Sequence, residues 1–355
     1  MASRYWVVNG AGNWSDTTHW STTSGGSGGS AAPTSSDDVF FDANSGASGI
    51  VTIDVGSANC NNLDFTGFLN NRIVNVNSNT LNINGSLTLR SQGNALLQVG
   101  TVRFVGSGSI TTNTNQLSVT PIIINSSGAY TLQDSFTCPS GVNFQVQGGT
   151  FNTNGNSMNV STFVLSNSPT VSLGGSIITL TTTGGNAFVV TSGATFNAGT
   201  SGVFFTAGGA GDGSGIPIID LNSQTAYDIQ FNAATSFFSG NNHFRFKSTG
   251  TLFQLDVSPG QVFKGVAGIT ITTTNCNLGA TVANPITIQS ETNGSNWTLC
   301  TSNFNTSQTV VVKDCTVAAC SAIQIDTCTS NCTGFKVGGR PAAASATPGI
   351  ITALL

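Results

Sequence analysis

The chain has 355 residues, with ten Lys and Arg against fourteen Asp and Glu, a net charge of −4 and only 7% charged residues. So little charge excludes an ordinary helix-rich enzyme, whose exposed helix faces are built from Glu, Lys and Arg. A pI near 4.8 with no Lys/Arg cluster leaves capture of nucleic acid or of an anionic membrane without an electrostatic source.

Polarity is carried instead by Ser, Thr, Asn and 43 glycines, while 38% hydrophobic residues supply enough apolar surface for a core. Residues 1–45 hold three of the four tryptophans, Trp6, Trp14 and Trp20, with Tyr5, Phe40 and Phe41, around a glycine- and serine-rich loop at Ser24–Ser30. This density predicts a compact aromatic N-terminal cap; the alternative for Trp14 and Trp20 is a platform on which sugar rings stack. Met1–Gly10 shows no apolar signal core, and no run of 18 apolar residues occurs, so neither a secretion signal nor membrane insertion is expected. Asp37, Asp38 and Asp42 read as turn and strand-end residues, with weak Ca²⁺ binding as the alternative because EF-hand spacing is absent.

From residue 46 to residue 275 the sequence is a series of short period-two runs broken by Gly, Asn and Ser, such as Leu81 and Ile83, Val102 and Phe104, and Val142, Phe144 and Val146. No stretch sustains a helical period, so the chain reads as all-β. Glycine turns leading into strands recur at Gly85, Gly148, Gly174 and Gly193. They predict a right-handed parallel β-helix, a solenoid with coils of roughly 20 to 30 residues; tandem β-sandwiches are the alternative. In a parallel stack neutral Asn, Ser and Thr form side-chain ladders where like charges would repel.

Within this body, His243, Arg245 and Lys247 alternate with Phe244 and Phe246 and so share one strand face. They are candidate ligands for an anionic glycan or an acidic neighbour, against a plain solvated face. Asp220 and Asp228 are the acids nearest to a catalytic pair, but isolated Asp is more often a turn former. The Gly208–Gly215 loop lacks the lysine and the helix of a phosphate cradle.

Residues 276–337 contain six of the eight cysteines. The spacing of Cys315, Cys320, Cys328 and Cys332 loosely suggests tetrathiolate zinc, against buried thiols or local disulfides; no metal and no cofactor are expected. The sequons at Asn13, Asn84, Asn296 and Asn305 are those expected by chance in a chain this rich in Asn, Ser and Thr. Residues 338–355 read as an extended C-terminal arm whose Ile350, Ile351, Leu354 and Leu355 form an assembly contact.

The N-terminal stretch Arg4-Tyr-Trp-Val7, Gly12-Asn-Trp-Ser-Asp16, His19-Trp20-Ser21, Pro33 and Asp37-Asp-Val-Phe-Phe-Asp42 resembles a module of large bacterial surface proteins and of phage structural proteins. Ala58–Gly67 and Gly85–Leu89 look like its continuation, so the resemblance covers about the first 90 residues. It implies a non-enzymatic structural protein. Met1 stands almost directly before the motif, which favours a virion protein over an exported one. The expectation is a piece of a bacteriophage exterior, in a tail fibre or spike, a head fibre or a capsid decoration. It would form a homotrimer, meet other virion proteins and contact host surface glycans for host attachment. The alternatives are a secreted bacterial adhesin fragment and a polysaccharide-degrading tailspike.

Overall fold

The structure, a computed structural model, describes residues 2–46, 48–68, 71–75, 78–91, 97–98, 100–209, 215–232, 243–281, 283–306, 310–316, 323–325, 327–328 and 335–337. Apart from one 3-10 turn at Thr17–His19, every helix or strand among these residues is a β-strand. Strands pair in parallel with the strand one coil further along, which makes a β-solenoid and not the antiparallel layers of tandem sandwiches. Two compact units are present, Met1–Ser176 with Gly193–Asn197, and Ile177–Ser192 with Ala198–Leu355.

In the first unit each coil contributes short strands to three faces. On one face Val39, Leu63, Leu87, Ile110 and Leu132 lie in register, so successive coils take 24, 24, 23 and 22 residues. On the next, Ala58, Leu81, Val102, Ile122, Phe144 and Phe163 form one inward row, and Cys60, Ile83, Phe104, Ile124, Val146 and Leu165 the neighbouring one. Period-two alternation sends every second side chain inward, and all twelve are at most 2% exposed. Each larger side chain so buried is worth about 1.5–3 kcal/mol, offset by the entropy of ordering the coil. Between these rows the outward residues are neutral except Arg103, and the Asn82 amide donates to Asn59 Oδ1 at 3.0 Å one coil below. The one phenol of this core, Tyr130, donates to the Ile83 carbonyl at 2.9 Å and accepts from the Gly106 amide.

At the N-terminus the parallel stack changes sense. Strand Ser3–Trp6 runs parallel to Asp38–Phe40 but antiparallel to Trp20–Ser21, with Trp6 opposite Trp20. Trp6 and Trp20 meet edge to face at 5.1 Å, Trp14 meets Trp20 at 5.0 Å, and Phe41 stacks on Phe65 at 4.7 Å. The ring of His19 covers Trp6 at 4.5 Å. Indole N–H groups of Trp6 and Trp20 donate to the carbonyls of Val8 and Trp14. An aromatic plug therefore closes the end of the apolar rows, and an antiparallel strand stands where a further coil would otherwise pair.

In the second unit Ile178, Val203, Ile229, Leu255 and Cys276 form one inward row, and Leu180, Phe205, Phe231, Val257 and Leu278 the next. The facing wall carries Phe244, Phe263, Ile288 and Val312 in register. Phe231 and Phe244 stack across the interior at 4.2 Å. Gly265, between Phe246 and Ser290 in its row, leaves a slot that the fully buried Trp297 fills; a Cβ there would lie 2.2 Å from Trp297 Cδ2. At one corner the buried Thr273 and Thr301 hydroxyls donate to the carbonyls of Asn275 and Asn303, satisfying backbone groups that the bend removes from the ladder.

Candidate functional site

Trp14 and Trp20 are 2% and 0% exposed. Both rings are consumed by the cap's packing and neither offers a face to a sugar, so the stacking-platform alternative is corrected: apolar area went into the end plug. The acids beside the cap are structural too. Asp37 accepts from the Thr34 amide and hydroxyl at 3.0 and 2.8 Å, and Arg4 lies 3.8 Å away. Burial works against its charge, but these bonds and the guanidinium outweigh it and hold the carboxyl below the usual range. Asp38 accepts from Asn61 and Asn62, and Asp42 from the Asn44 amide. Among the described residues no group of three or more His, Cys, Asp or Glu is arranged to hold a metal ion.

The strand His243–Phe246 alternates as its sequence predicts, Phe244 and Phe246 inward, His243 and Arg245 on the other side and Lys247 exposed just beyond. Its cations are not free for a ligand. Arg245 forms an ion pair with Glu291, and the Lys247 ammonium lies 3.0 Å from the buried Asp220. Arg245 also stands in a row with Lys264, Gln289 and Lys313 on successive coils. Lys313 donates to Asn293 Oδ1 at 2.7 Å.

Asp220 and Asp228 do not form an acid pair. They lie on strands of different sheets, and Asp220 is spoken for by Lys247. Asp228 faces another carboxylate, Asp256, displaced diagonally on the next coil: Asp228 is opposite Gln254, and Gln230 opposite Asp256. Burial pushes the Asp228 carboxyl up; the bond from Gln230 pulls it down, and the charge of Asp256 pushes it up again, with a net rise.

Around these two acids the outward side of strands Thr225–Phe231, Gly250–Val257, Thr270–Leu278 and Trp297–Thr306 carries two rows. One is Asp228, Gln254, Asn275 and Asn303, the other Gln230, Asp256, Asn277 and Asn305. Gln230 donates to Asp228 at 2.6 Å and Gln254 to Asp256 at 2.7 Å. Asn277 donates to Asp256 at 2.7 Å, Asn305 to Asn277 at 2.8 Å and Asn303 to Asn275 at 3.0 Å. The chain from Asn305 through Asn277 ends on Asp256 and the bond from Gln230 on Asp228, while the link from Asn303 to Asn275 stands apart. Beside the first row Tyr227 stacks on Phe253 at 4.8 Å with rings 12° apart, and Phe253 is 41% exposed. Composition-based reading passes over this face; the signal for it is the recurring unit of two Asp, Asn or Gln residues separated by one, at 228, 254, 275 and 303.

The raised Asp228 carboxyl has a stability consequence. A carboxyl whose folded pKa exceeds its unfolded value near 3.9 contributes stability below that value, and the contribution is lost as pH rises through the folded pKa. Asp228→Asn keeps an oxygen for Gln230 and removes the charge. The variant is expected to melt higher than the parent at pH 7, and the gap to shrink towards pH 4. Thermal melts of both proteins across that range measure it; a gap independent of pH would mean that burial and Asp256 do not raise the carboxyl. Asp37 and Asp54, held low, give the whole protein the opposite slope, so the difference between the two proteins is the quantity to read.

Cys60, Cys138, Cys276 and Cys315 are buried free thiols, and Cys300 is disulfide-bonded. Burial pushes all four thiols up, Cys138 and Cys315 to about 12, which makes them poor nucleophiles and poor metal ligands. The side chains of Cys320, Cys328 and Cys332, most of the Gly208–Gly215 loop, and the arm with Ile350, Ile351, Leu354 and Leu355 lie outside the described residues. Comparison with known families, with curated proteins and with solved structures finds nothing that matches the chain.

Proposed function

We propose that the chain is a non-enzymatic structural protein on the exterior of a bacteriophage virion, in a tail fibre or spike, a head fibre or a capsid decoration. It acts there by shape and by repeated contact with other virion proteins and with host surface glycans, as a homotrimer. The observation that carries this reading is the run of amide rows bonded from coil to coil, Asn59 to Asn82 in one unit and Asn275 to Asn303 in the other. Such rows stiffen a solenoid without charge, which suits a displayed scaffold. The N-terminal resemblance supports the same setting, and the disulfide at Cys300 favours oxidising surroundings.

Mass spectrometry of purified particles tests the location, and light scattering of the purified chain tests the trimer. The chain is expected among the particle proteins at three copies per assembly. Recovery from bacterial cell envelopes, with none in particles, would transfer it to the adhesin alternative.

One observation favours the polysaccharide-degrading alternative: a protonation-prone Asp228 diagonal to Asp256, the kind of unequal carboxyl pair that glycosidases use. Under the proposed reading, incubation with bacterial polysaccharides releases no new reducing ends or unsaturated sugars. Turnover that disappears in Asp228→Asn would replace it with catalysis.

A further inference from the structure

The second unit carries an aromatic pair, a half-buried Tyr227 and an exposed Phe253, that stops short. Tyr227 and Phe253 stack on adjacent coils, and register carries the same column on to Thr274 and Ser302, since Gln254 pairs with Asn275 and Asn275 with Asn303. Where a third and a fourth ring would sit, the side chains are small and exposed. Phe253 thus stacks on Tyr227 of the coil before it, has no ring opposite it on the coil after it, and is 41% exposed. Immediately beside this gap run the amide and carboxylate rows, from Gln254 and Asp256 to Asn275 and Asn277 and on to Asn303 and Asn305.

We propose that this face is a binding site for a neutral glycan, in which a pyranose ring continues the Tyr227 and Phe253 stack above Thr274 while its hydroxyls bond to Gln254, Asn275 and Asn303. The inference deepens the glycan contact of the proposed function and rests on that reading for its biological setting.

Three features select this ligand. A pyranose face is apolar and flat enough to lie on an aromatic ring, while its rim carries hydroxyls that both donate and accept. Carboxamides offer both partners: in the row beside the gap Gln254 gives an amide hydrogen to Asp256 and Asn303 gives one to Asn275, which leaves the Gln254 and Asn303 oxygens as acceptors and the Asn275 amide as a donor. Charge decides between glycan classes: the two rows contain two carboxylates and no cation, so a sulfated or uronate-rich chain is repelled where a neutral one is not. Spacing adds a fourth consideration. Coils repeat every ~4.8 Å, so one glycan lying along the stack meets equivalent amides on successive coils. Weak contacts then add along a single chain.

The test uses the full chain and immobilised polysaccharides: dextran, yeast mannan and galactan as neutral probes, heparin and polygalacturonate as anionic ones. Retention of at least one neutral probe is expected, with neither anionic probe retained. Phe253→Ser, at an exposed position, should lower that retention at least tenfold with an unchanged melting curve, and Asn275→Ala several-fold. Ile50→Ser, an equally exposed apolar side chain in the other unit, should leave it unchanged. No neutral probe retained, retention indifferent to Phe253→Ser, or preferential retention of heparin would each overturn the site. The two readings fail separately: a chain present in particles that binds none of the neutral probes removes the site alone, and a chain that binds them but is missing from particles removes the virion setting alone.

Discussion

Replacing Trp20 by alanine is expected to cost about 3–5 kcal/mol and to open the N-terminal end of the first unit. Trp20 is fully buried, packs against Trp6, Trp14 and Phe41, and anchors the antiparallel strand that ends the parallel stack. Its loss leaves a cavity beside three rings and frees the Trp14 carbonyl from its indole partner. In a solenoid each coil is held by its neighbours, so damage at an end propagates inwards as fraying before it appears as global unfolding. Hydrogen exchange should accelerate in strands Asp38–Phe40, Leu63–Asp64 and Thr80–Ile83, and stay at the parent rate in Gly250–Val257 and Thr270–Leu278. The bared strand edges should also make the variant self-associate, which light scattering would report. Uniform acceleration over both units, or none, would show that the aromatic cluster is not the closing element.

The second large effect is expected at Gly265. Valine there would drive its side chain into the Trp297 indole, whose nearest ring atoms lie 2.2 and 2.4 Å from a Cβ at that position. The indole is fully buried and touches Phe263, so it has no neighbouring space to move into. Either the ring leaves the core or the strand Val262–Gly265 shifts, at a cost of about 3–5 kcal/mol in the second unit. Acrylamide quenching separates these outcomes from mere local strain. Trp6, Trp14 and Trp20 are buried in the other unit, so a newly quenched fraction of the emission reports Trp297. A double variant Gly265→Val, Trp297→Ala should recover part of the stability, because the valine then fills the slot that the ring vacates. No recovery would mean that the glycine is needed for its backbone and not for the space beside it.

Much of this architecture can be read from the order of residues, because a parallel solenoid imposes its rules locally. Pairs such as Leu81 with Ile83, and Val102 with Phe104, announce inward side chains on short strands, and their neutral outward neighbours announce ladders. The coil length was harder to see. In the first unit it is nearly constant, at 22 to 24 residues between Val39 and Leu132, but from Asp228 to Gln254, Asn275 and Asn303 it is 26, 21 and then 28. Loops of variable length at the corners absorb the difference, so the rows align in space while the sequence shows no fixed period. For that reason the amide face leaves little local signal, whereas the basic stripe at His243, Arg245 and Lys247 is contiguous and visible. Its alternation is correctly legible, but the acids that neutralise it, Asp220 and Glu291, lie 27 and 46 residues away along the chain. Ion pairing between coils leaves no local trace. The aromatic cap was legible from the density of rings in residues 1–45, and the burial of Trp14 and Trp20 agrees with it.

The polarity of the side-chain chain from Asn305 through Asn277 to Asp256 bears on how such a solenoid unit can lengthen. Each carboxamide gives hydrogens in one direction along the stack and offers its oxygen in the other, so a tandem copy of the segment bearing Asn275 and Asn277 would slot in without disturbing the handoff. A tandem copy of the segment bearing Gln254 and Asp256 would set two anionic terminators next to each other in one column, each fed by its own glutamine and only one of them by Asn277. Growth by gene duplication is thereby permitted at one storey and penalised at the storey beside it, a grammar for insertion written in the direction of the amides.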